Sequence, residues 1–309
     1  MKIQVKRGTA SALKTANPVL ASGEFCRETD TGFIKCGDGT TAWNSLQYIY
    51  PSDYDSGEQK NSVFDPNCSN LGTISSSSQM QQFLNDNHVT TGKFGNLKLN
   101  NCITIAGSAI DGSNADWLIS GFNYWYNYGP YAAITKPHLA LIPKVNLGAA
   151  VMNDTNTTVG GYIGSKMHTV TMPAISTKLR NKLGSYILQY SDLFSSAMDA
   201  SRINRYGSAS GASTSWTWDA AVNNTYCELM SEPQVYGCIA WSSSGYDIGC
   251  GNRQLPIFKY ITPVRYSRSY FWLRAVASST DFAYCHGNGS AYYGVASYSC
   301  GVRPLIFVG

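Results

Sequence analysis

Helical periodicity is confined to three short stretches of this 309-residue chain, and that confinement decides its fold class. "SALKTAN" predicts a turn of helix before Pro18, and in "SSQMQQFLNDN" Met80, Phe83 and Leu84 fall at helical spacing. "TMPAISTKLRNKLGSYILQYSDLFSSAM" predicts two helices separated near 184–190, the first opening at Thr169 or Thr171 with Pro173 at an early position where proline fits. Ile175, Leu179 and Leu183 make its core stripe, and Lys178, Arg180 and Lys182 are expected to face water. Elsewhere short runs bounded by Gly, Asn, Asp and Ser predict strands and turns, with "HLALIPK" a buried strand and "LKLNNCITIAG" an alternating one. The expected class is α+β, mostly β.

Charged residues make up 14% of the chain while Tyr (21) and Gly (29) are abundant, so the surface is neutral, hydroxyl-rich and aromatic, suited to contact. A net charge of +4, scattered along the chain, argues against nucleic acid, and no apolar run is long enough for membrane insertion. The nine cysteines lack the C-x-x-C spacing of zinc or redox sites and read as mostly free thiols made in a reducing cytoplasm. Three regions follow: 1–50, with a strand, a short helix and hairpins turning at Asp30-Thr31-Gly32 and Asp38-Gly39; 51–107, a β-rich connector; and 108–309, with tryptophans at 216, 218, 241 and 272 among short strands and loops.

"KRGT", "NPVLASGEF", "ETDTG" and "KCGDGTTAWNSL" in the first fifty residues resemble the N-terminal module of bacteriophage tail-fibre and receptor-binding proteins. The resemblance implies a trimeric, β-prism-like module that attaches the protein to the virion, hence a homotrimer, other virion tail proteins as partners, and a place on the virion tail. "LMSEPQVYG", "AWSSSGYDIGCGNRQLPIF", "YFWLRAVAS" and "GVRPLIFVG" resemble the C-type lectin-like domains of the tropism-determinant type that diversity-generating retroelements mutate. That resemblance implies paired strands at the two ends of 108–309 and a variable patch that binds a host bacterial surface receptor, protein or glycan. Such retroelements change adenines in Asn codons and never produce Lys, Glu, Gln, Met or Trp, and residues 276–300 lack all five.

Physical chemistry gives this stretch a second reason, because Tyr supplies rigid contact area while Ser, Gly and Asn supply adaptable hydrogen bonds. "DFAYCHGNGSAYY" predicts a strand, a turn at Gly287-Asn288-Gly289 and a second strand, with Phe282, Tyr284 and His286 pointing outward. Tyr292, Tyr293 and Tyr298 extend the patch, and Ser278, Ser279, Asp281, Asn288, Ser290 and Ser297 complete it as polar contacts. Trp272, Leu273, Val276, Val302, Pro304 and Ile306 are assigned to the frame, with Arg274 and Arg303 as structural donors.

No cofactor or metal is expected. His286 beside Cys285 lacks a third ligand, Asp111–Asp116 reads as a loop of Asx turns, and Glu232-Pro233-Gln234 lacks the Asn of calcium-dependent sugar motifs and reads as a structural turn. With no nucleophile elbow, phosphate loop or H-E-x-x-H motif, the chain is expected not to be an enzyme. The alternatives are a polysaccharide-degrading tail spike, using Asp192, Asp219 or Asp247 as paired carboxylates or a triad assembled from His88, His138, His168 and His286, and a structural fibre subunit without receptor binding.

Overall fold

"LALIP" is apolar at every position, a composition that suits a strand covered on both faces, and it is found as the fully buried strand β7. In the computed structural model, which describes residues 6–30, 33–46, 64–128, 133–190, 192–197, 215–219, 226–241, 254–265 and 268–309, the chain divides into two units, 1–59 and 60–309.

The first unit holds β1 (Lys6–Gly8), α1 (Ala10–Ala16), β2 (Phe25–Glu28) and β3 (Ile34–Cys36). Strand β2 pairs with β1 in parallel and with β3 antiparallel. Thr9 caps α1 by accepting from the Ala12 N–H at 3.2 Å, and Asn17 ends it in the left-handed conformation. Leu13, Leu20, Cys26, Trp43 and Leu46 form the core. The Asp38 turn is held by its carboxylate, which accepts from the Thr40 and Thr41 N–H groups at 2.9 and 2.7 Å.

The second unit is built on a six-stranded sheet in the order β11-β16-β7-β6-β5-β4. Its members are β4 (Asn70–Ile74), β5 (Cys102–Ile105), β6 (Ala115–Phe122), β7 (Leu139–Pro143), β11 (Cys227–Leu229) and β16 (Pro304–Val308). Strand alternation splits its side chains between two cores. Ile103, Trp117, Ile119, Leu141 and Ile306 enter one, which is closed by α2 (Ser77–Asp86) and α3 (Met172–Leu183). Cys102, Leu118, Ala140, Ile142 and Phe307 enter the other, with Trp125, Val235 of α4 (Glu232–Tyr236) and Phe258 of α5 (Pro256–Tyr260). A five-stranded sheet runs β14-β13-β12-β15-β8, from β8 (Ala149–Ala150), β12 (Phe271–Val276), β13 (Asp281–Cys285), β14 (Ala291–Val295) and β15 (Cys300–Gly301). The architecture is mostly β with few helices.

Several expectations are corrected. The boundary drawn at 107 falls between β5 and β6, which pair antiparallel, so the described part of the 51–107 stretch belongs to the main sheet. The first strand after 108 is β6, yet the final strand β16 pairs with β7 and β11, so the ends of 108–309 are not neighbours in the sheet. The second helix expected after Tyr190 is instead β9 (Asp192–Ala197), paired antiparallel with β10 (Ser215–Asp219), where pairing overrides a weak helical pattern. Helix α3 grows out of a π-helical turn, Met167–Thr171, so Thr171 is already helical and makes no side-chain cap. Lys178 does not face water freely, since its ammonium donates to the carbonyls of Ala109 and Ile110 at 2.9 and 2.7 Å.

Candidate functional site: the C-terminal hairpin face

Strands β13 and β14 pair in unbroken register from Asp281↔Val295 to Cys285↔Ala291, which sets Tyr284 directly across from Tyr292. The turn at 286–290 closes through the Ser290 carbonyl, which accepts from the His286 N–H at 2.8 Å, and the His286 carbonyl, which accepts from the Gly289 N–H at 2.7 Å. Gly289 has φ of 82°, a left-handed geometry that glycine tolerates without strain. Asn288 Oδ1 fixes the tip by accepting from the Ser290 hydroxyl and N–H at 2.7 and 3.1 Å.

Strand β13 is buried throughout because it lies between β12 and β14 and contributes to both cores. Phe282 is therefore fully buried, which corrects its outward assignment. Tyr284, 8% exposed, is a base and not a tip: its ring contacts those of Tyr270, Trp272 and Tyr292 at 5.5, 5.8 and 5.5 Å. Gly294 permits this, since a Cβ there would stand 3.0 Å from the Tyr284 ring. Burial, reinforced by Tyr292, pushes the Tyr284 phenol up to about 12, so it stays a neutral donor near neutrality.

On that base stand the exposed groups. Tyr292 is 47%, Tyr298 45% and Tyr270 37% exposed, with His286 half-buried and its ring 4.5 Å from that of Tyr270. Tyr293 stacks with Tyr292 at 5.3 Å and meets Trp241 edge-on at 4.5 Å. Trp241 is held from behind by Glu232, a fully buried carboxylate that accepts from the Trp241 and Ala240 N–H groups at 3.0 and 3.2 Å. A capping box between Ser231 and Gln234 fixes that helix start, so Glu232-Pro233-Gln234, expected as a turn, is the opening of α4 and serves the frame.

Of the residues assigned to the patch, His286, Asn288, Ser290, Tyr292, Tyr293 and Tyr298 are wholly or partly exposed, and ring contacts join His286, Tyr292 and Tyr293. Ser278 and Asp281 are instead both buried: the Asp281 carboxylate accepts from the hydroxyls of Ser278 and Thr280 and organises the turn before β13. The Ser279 carbonyl accepts from the Thr158 N–H at 3.2 Å, and the Ser297 hydroxyl donates to Asn156 Oδ1 at 2.6 Å, so each ties the hairpin to the 153–159 loop. Cys285 and Cys300, awkward on an exposed patch, point inward and are buried. Sequence reasoning missed Tyr270 and Trp241, whose only signal is aromatic character beside the apolar run "FWLRAV" and the buried "SEPQ" turn.

Elsewhere the polar residues serve the frame. Arg274 pairs with Asp192 in the interior and lies over the Phe194 ring at 4.8 Å. The Arg303 guanidinium, fully buried, donates to the carbonyls of Pro143, Val264 and Lys144 at 2.7, 2.9 and 3.3 Å, as assigned. Tyr162 and His168 converge on one buried Glu228 oxygen at 2.6 and 3.1 Å. Asp192 is thus taken by an arginine, Asp219 lies opposite it in strand register, and Asp247 falls outside the described residues. Among the described residues no group of three or more His, Cys, Asp or Glu is placed to hold a metal, and no helix is long and apolar enough to cross a membrane.

Residues 3–41 match the family described as the major tropism determinant N-terminal domain. A hyaluronoglucosaminidase of Streptococcus pyogenes phage H10403 is 29% identical over 113 residues, 36% of this chain and 32% of the relative. A second hyaluronoglucosaminidase, of Streptococcus pyogenes phage H4489A, is 39% identical over 49 residues, 16% of this chain and 13% of the relative. The chain thus spans at most about a third of these curated relatives. Among solved structures, a full-length streptococcal bacteriophage hyaluronidase in complex with hyaluronan octasaccharides is 37% identical over 16% of this chain and 14% of that one, with a TM-score of 0.16. A group A streptococcal phage-encoded tail fibre showing hyaluronan lyase activity is 24% identical over 28% of this chain and 30% of that one, also with a TM-score of 0.16. These relatives correct one expectation: that the chain is not an enzyme is overturned by curated relatives named as hyaluronoglucosaminidases. The tropism-determinant model thus covers the start of the chain, and the curated phage relatives each match only part of it.

Proposed function

We propose that the chain is a phage receptor-binding tail fibre that attaches to a bacterial surface polysaccharide through the face bearing Tyr270, His286, Tyr292, Tyr293, Tyr298 and Trp241. The observation that carries the reading is an exposed aromatic cluster on a rigid hairpin, behind which Tyr284 and Glu232 fix the rings before any ligand arrives. Aromatic faces pack against the C–H faces of sugars, while Asn288, Ser290 and the phenols meet hydroxyls. A polysaccharide is favoured over a protein receptor because the curated phage relatives are named as hyaluronoglucosaminidases.

The first unit is assigned to virion attachment and trimer formation. Phe25 and Ile34, exposed on its small sheet, support that role as apolar surface for neighbouring copies. Three weak sites on one fibre reinforce each other, since the second contact becomes intramolecular once the first is made. We further assign the second unit to the C-type lectin-like type and its hairpin to retroelement diversification. The latter is tested by searching the downstream DNA for a near-copy of the codons for 270–309 that differs mainly where the copy has adenine.

The binding reading is tested by adsorption of the purified chain to encapsulated bacteria before and after the capsule is removed. Loss of adsorption with the capsule supports it, and unchanged adsorption refutes it. A second reading, cleavage of the bound polysaccharide, is favoured by the names of the curated relatives. It predicts new chain ends when hyaluronan is incubated with the full chain.

A further inference from the structure

Where the second unit begins, two thiols and an ammonium meet. Cys102 opens β5, and its thiol donates to the Cys68 carbonyl at 3.8 Å, with the Cys68 side chain packed against the same core. The approach is fixed on both sides. The Cys102 N–H donates to the Ser69 carbonyl at 3.0 Å, and the Asp65 carboxylate accepts from the Asn67 and Ser69 N–H groups and the Asn101 amide at 2.9, 2.5 and 2.8 Å. That clamp holds Cys68 at φ of 52°, a conformation uncommon for a residue other than glycine. Lys144 comes close enough to both sulfurs that, against the effect of its burial, they hold its ammonium in the charged form.

We propose that Cys68 and Cys102 form a disulfide when the protein meets an oxidising medium, stapling the edge strand β4 to its neighbour β5. The oxidant is a small disulfide such as oxidised glutathione. Half-buried Cys68 loses its proton and its sulfur attacks one sulfur of the oxidant, making a mixed disulfide and releasing one small thiolate. Cys102 then loses its proton and attacks the Cys68 sulfur, expelling the second small thiolate. The oxidant gains two electrons and both protons, and the protein gains one S–S bond. Lys144 supplies the positive charge that balances each thiolate as it forms. The order follows from access: Cys102 is buried, and burial together with Cys68 pushes its thiol up to about 12, so it acts only once a disulfide sits beside it.

The consequence is mechanical. Strand β4 is the outer strand of the six-stranded sheet, pairs with β5 in parallel, and is the first strand described after the division between the two units. A staple at its leading end opposes peeling of the edge. The chemistry is independent of the attachment reading; only its setting, transfer from a reducing cytoplasm to the outside, belongs to a phage tail.

To test this, the full chain is incubated with oxidised glutathione, alkylated under denaturing conditions and digested without reduction for mass spectrometry. The expected product is one cross-linked peptide pair containing Cys68 and Cys102, lighter by two hydrogens than the separate peptides, with a higher urea midpoint than the reduced protein. Cys102→Ala should halt at a Cys68–glutathione mixed disulfide, Cys68→Ser should leave Cys102 unmodified, and Lys144→Met should slow the first exchange. Recovery of both cysteines alkylated from the folded wild-type protein, or a wild-type reaction that stops at the mixed disulfide, overturns the proposal.

Discussion

Acid will destabilise the second unit through His138. Its ring is fully buried at the start of the central strand β7: Nδ1 faces the Lys136 carbonyl at 3.0 Å and so carries the proton, and Nε2 accepts from the Trp125 N–H at 3.1 Å. Protonation would set a donor against that N–H in a site closed by Phe307, whose ring lies 5.4 Å away. Burial accordingly lowers the His138 pKa from 6.5 to about 4. Because the folded value is depressed, the stability it contributes is present above 6.5 and is lost as pH falls through 4. Integrating between neutrality and the folded value gives a loss of about 3 kcal/mol from this one group. Urea unfolding followed by tryptophan fluorescence at a series of pH values measures it. His138→Gln keeps an acceptor for Trp125 without the titration, so wild type minus variant isolates the imidazole from the carboxylates. If the two proteins lose stability in parallel between neutrality and pH 4, the reasoning is wrong.

Arg303→Met retains the packing between Phe258 and Phe271 but orphans three buried carbonyls, and after recovery of the guanidinium desolvation it should cost about 3 kcal/mol in urea unfolding. Phe282→Ala should cost about 3–5 kcal/mol as a core cavity, whereas Tyr298→Ala, on the surface, should stay within about 0.5 kcal/mol, read in the same assay. Glu232→Ala removes the acceptor behind Trp241 and should shift the near-ultraviolet circular dichroism of the aromatic face while the far-ultraviolet signal holds.

The frame was legible where one physical signal dominated. Met80, Phe83 and Leu84 lie on the buried side of α2, Ile175, Leu179 and Leu183 on that of α3, and "LALIP" is a strand buried on both faces. The turn at 287–289 followed from its Gly-Asn-Gly chemistry. What was not legible depended on distant partners. Nothing local in "SDLFSSAM" shows that it will pair with 215–219, or that its aspartate will meet Arg274. Within the segment 278–298 the two faces of the hairpin were not separable by alternation. A strand covered on both sides uses aromatics for packing as readily as a binding surface uses them for contact, so Phe282 went to the core and Tyr292 to the surface. Trp241 joined from fifty residues away through a buried carboxylate that sequence spacing does not reveal.

The most direct test of the attachment reading is binding of the full chain to an array of purified bacterial capsular polysaccharides, hyaluronan among them, by wild type and by the double variant Tyr292→Ala, Tyr298→Ala. Both side chains are exposed, so the variant keeps its fold. The account predicts that wild type binds at least one polysaccharide and that the variant loses roughly a thousandfold in affinity, as expected for two aromatic anchors worth about 2 kcal/mol each. Equal binding by the two proteins, or a wild type that binds no polysaccharide, contradicts it.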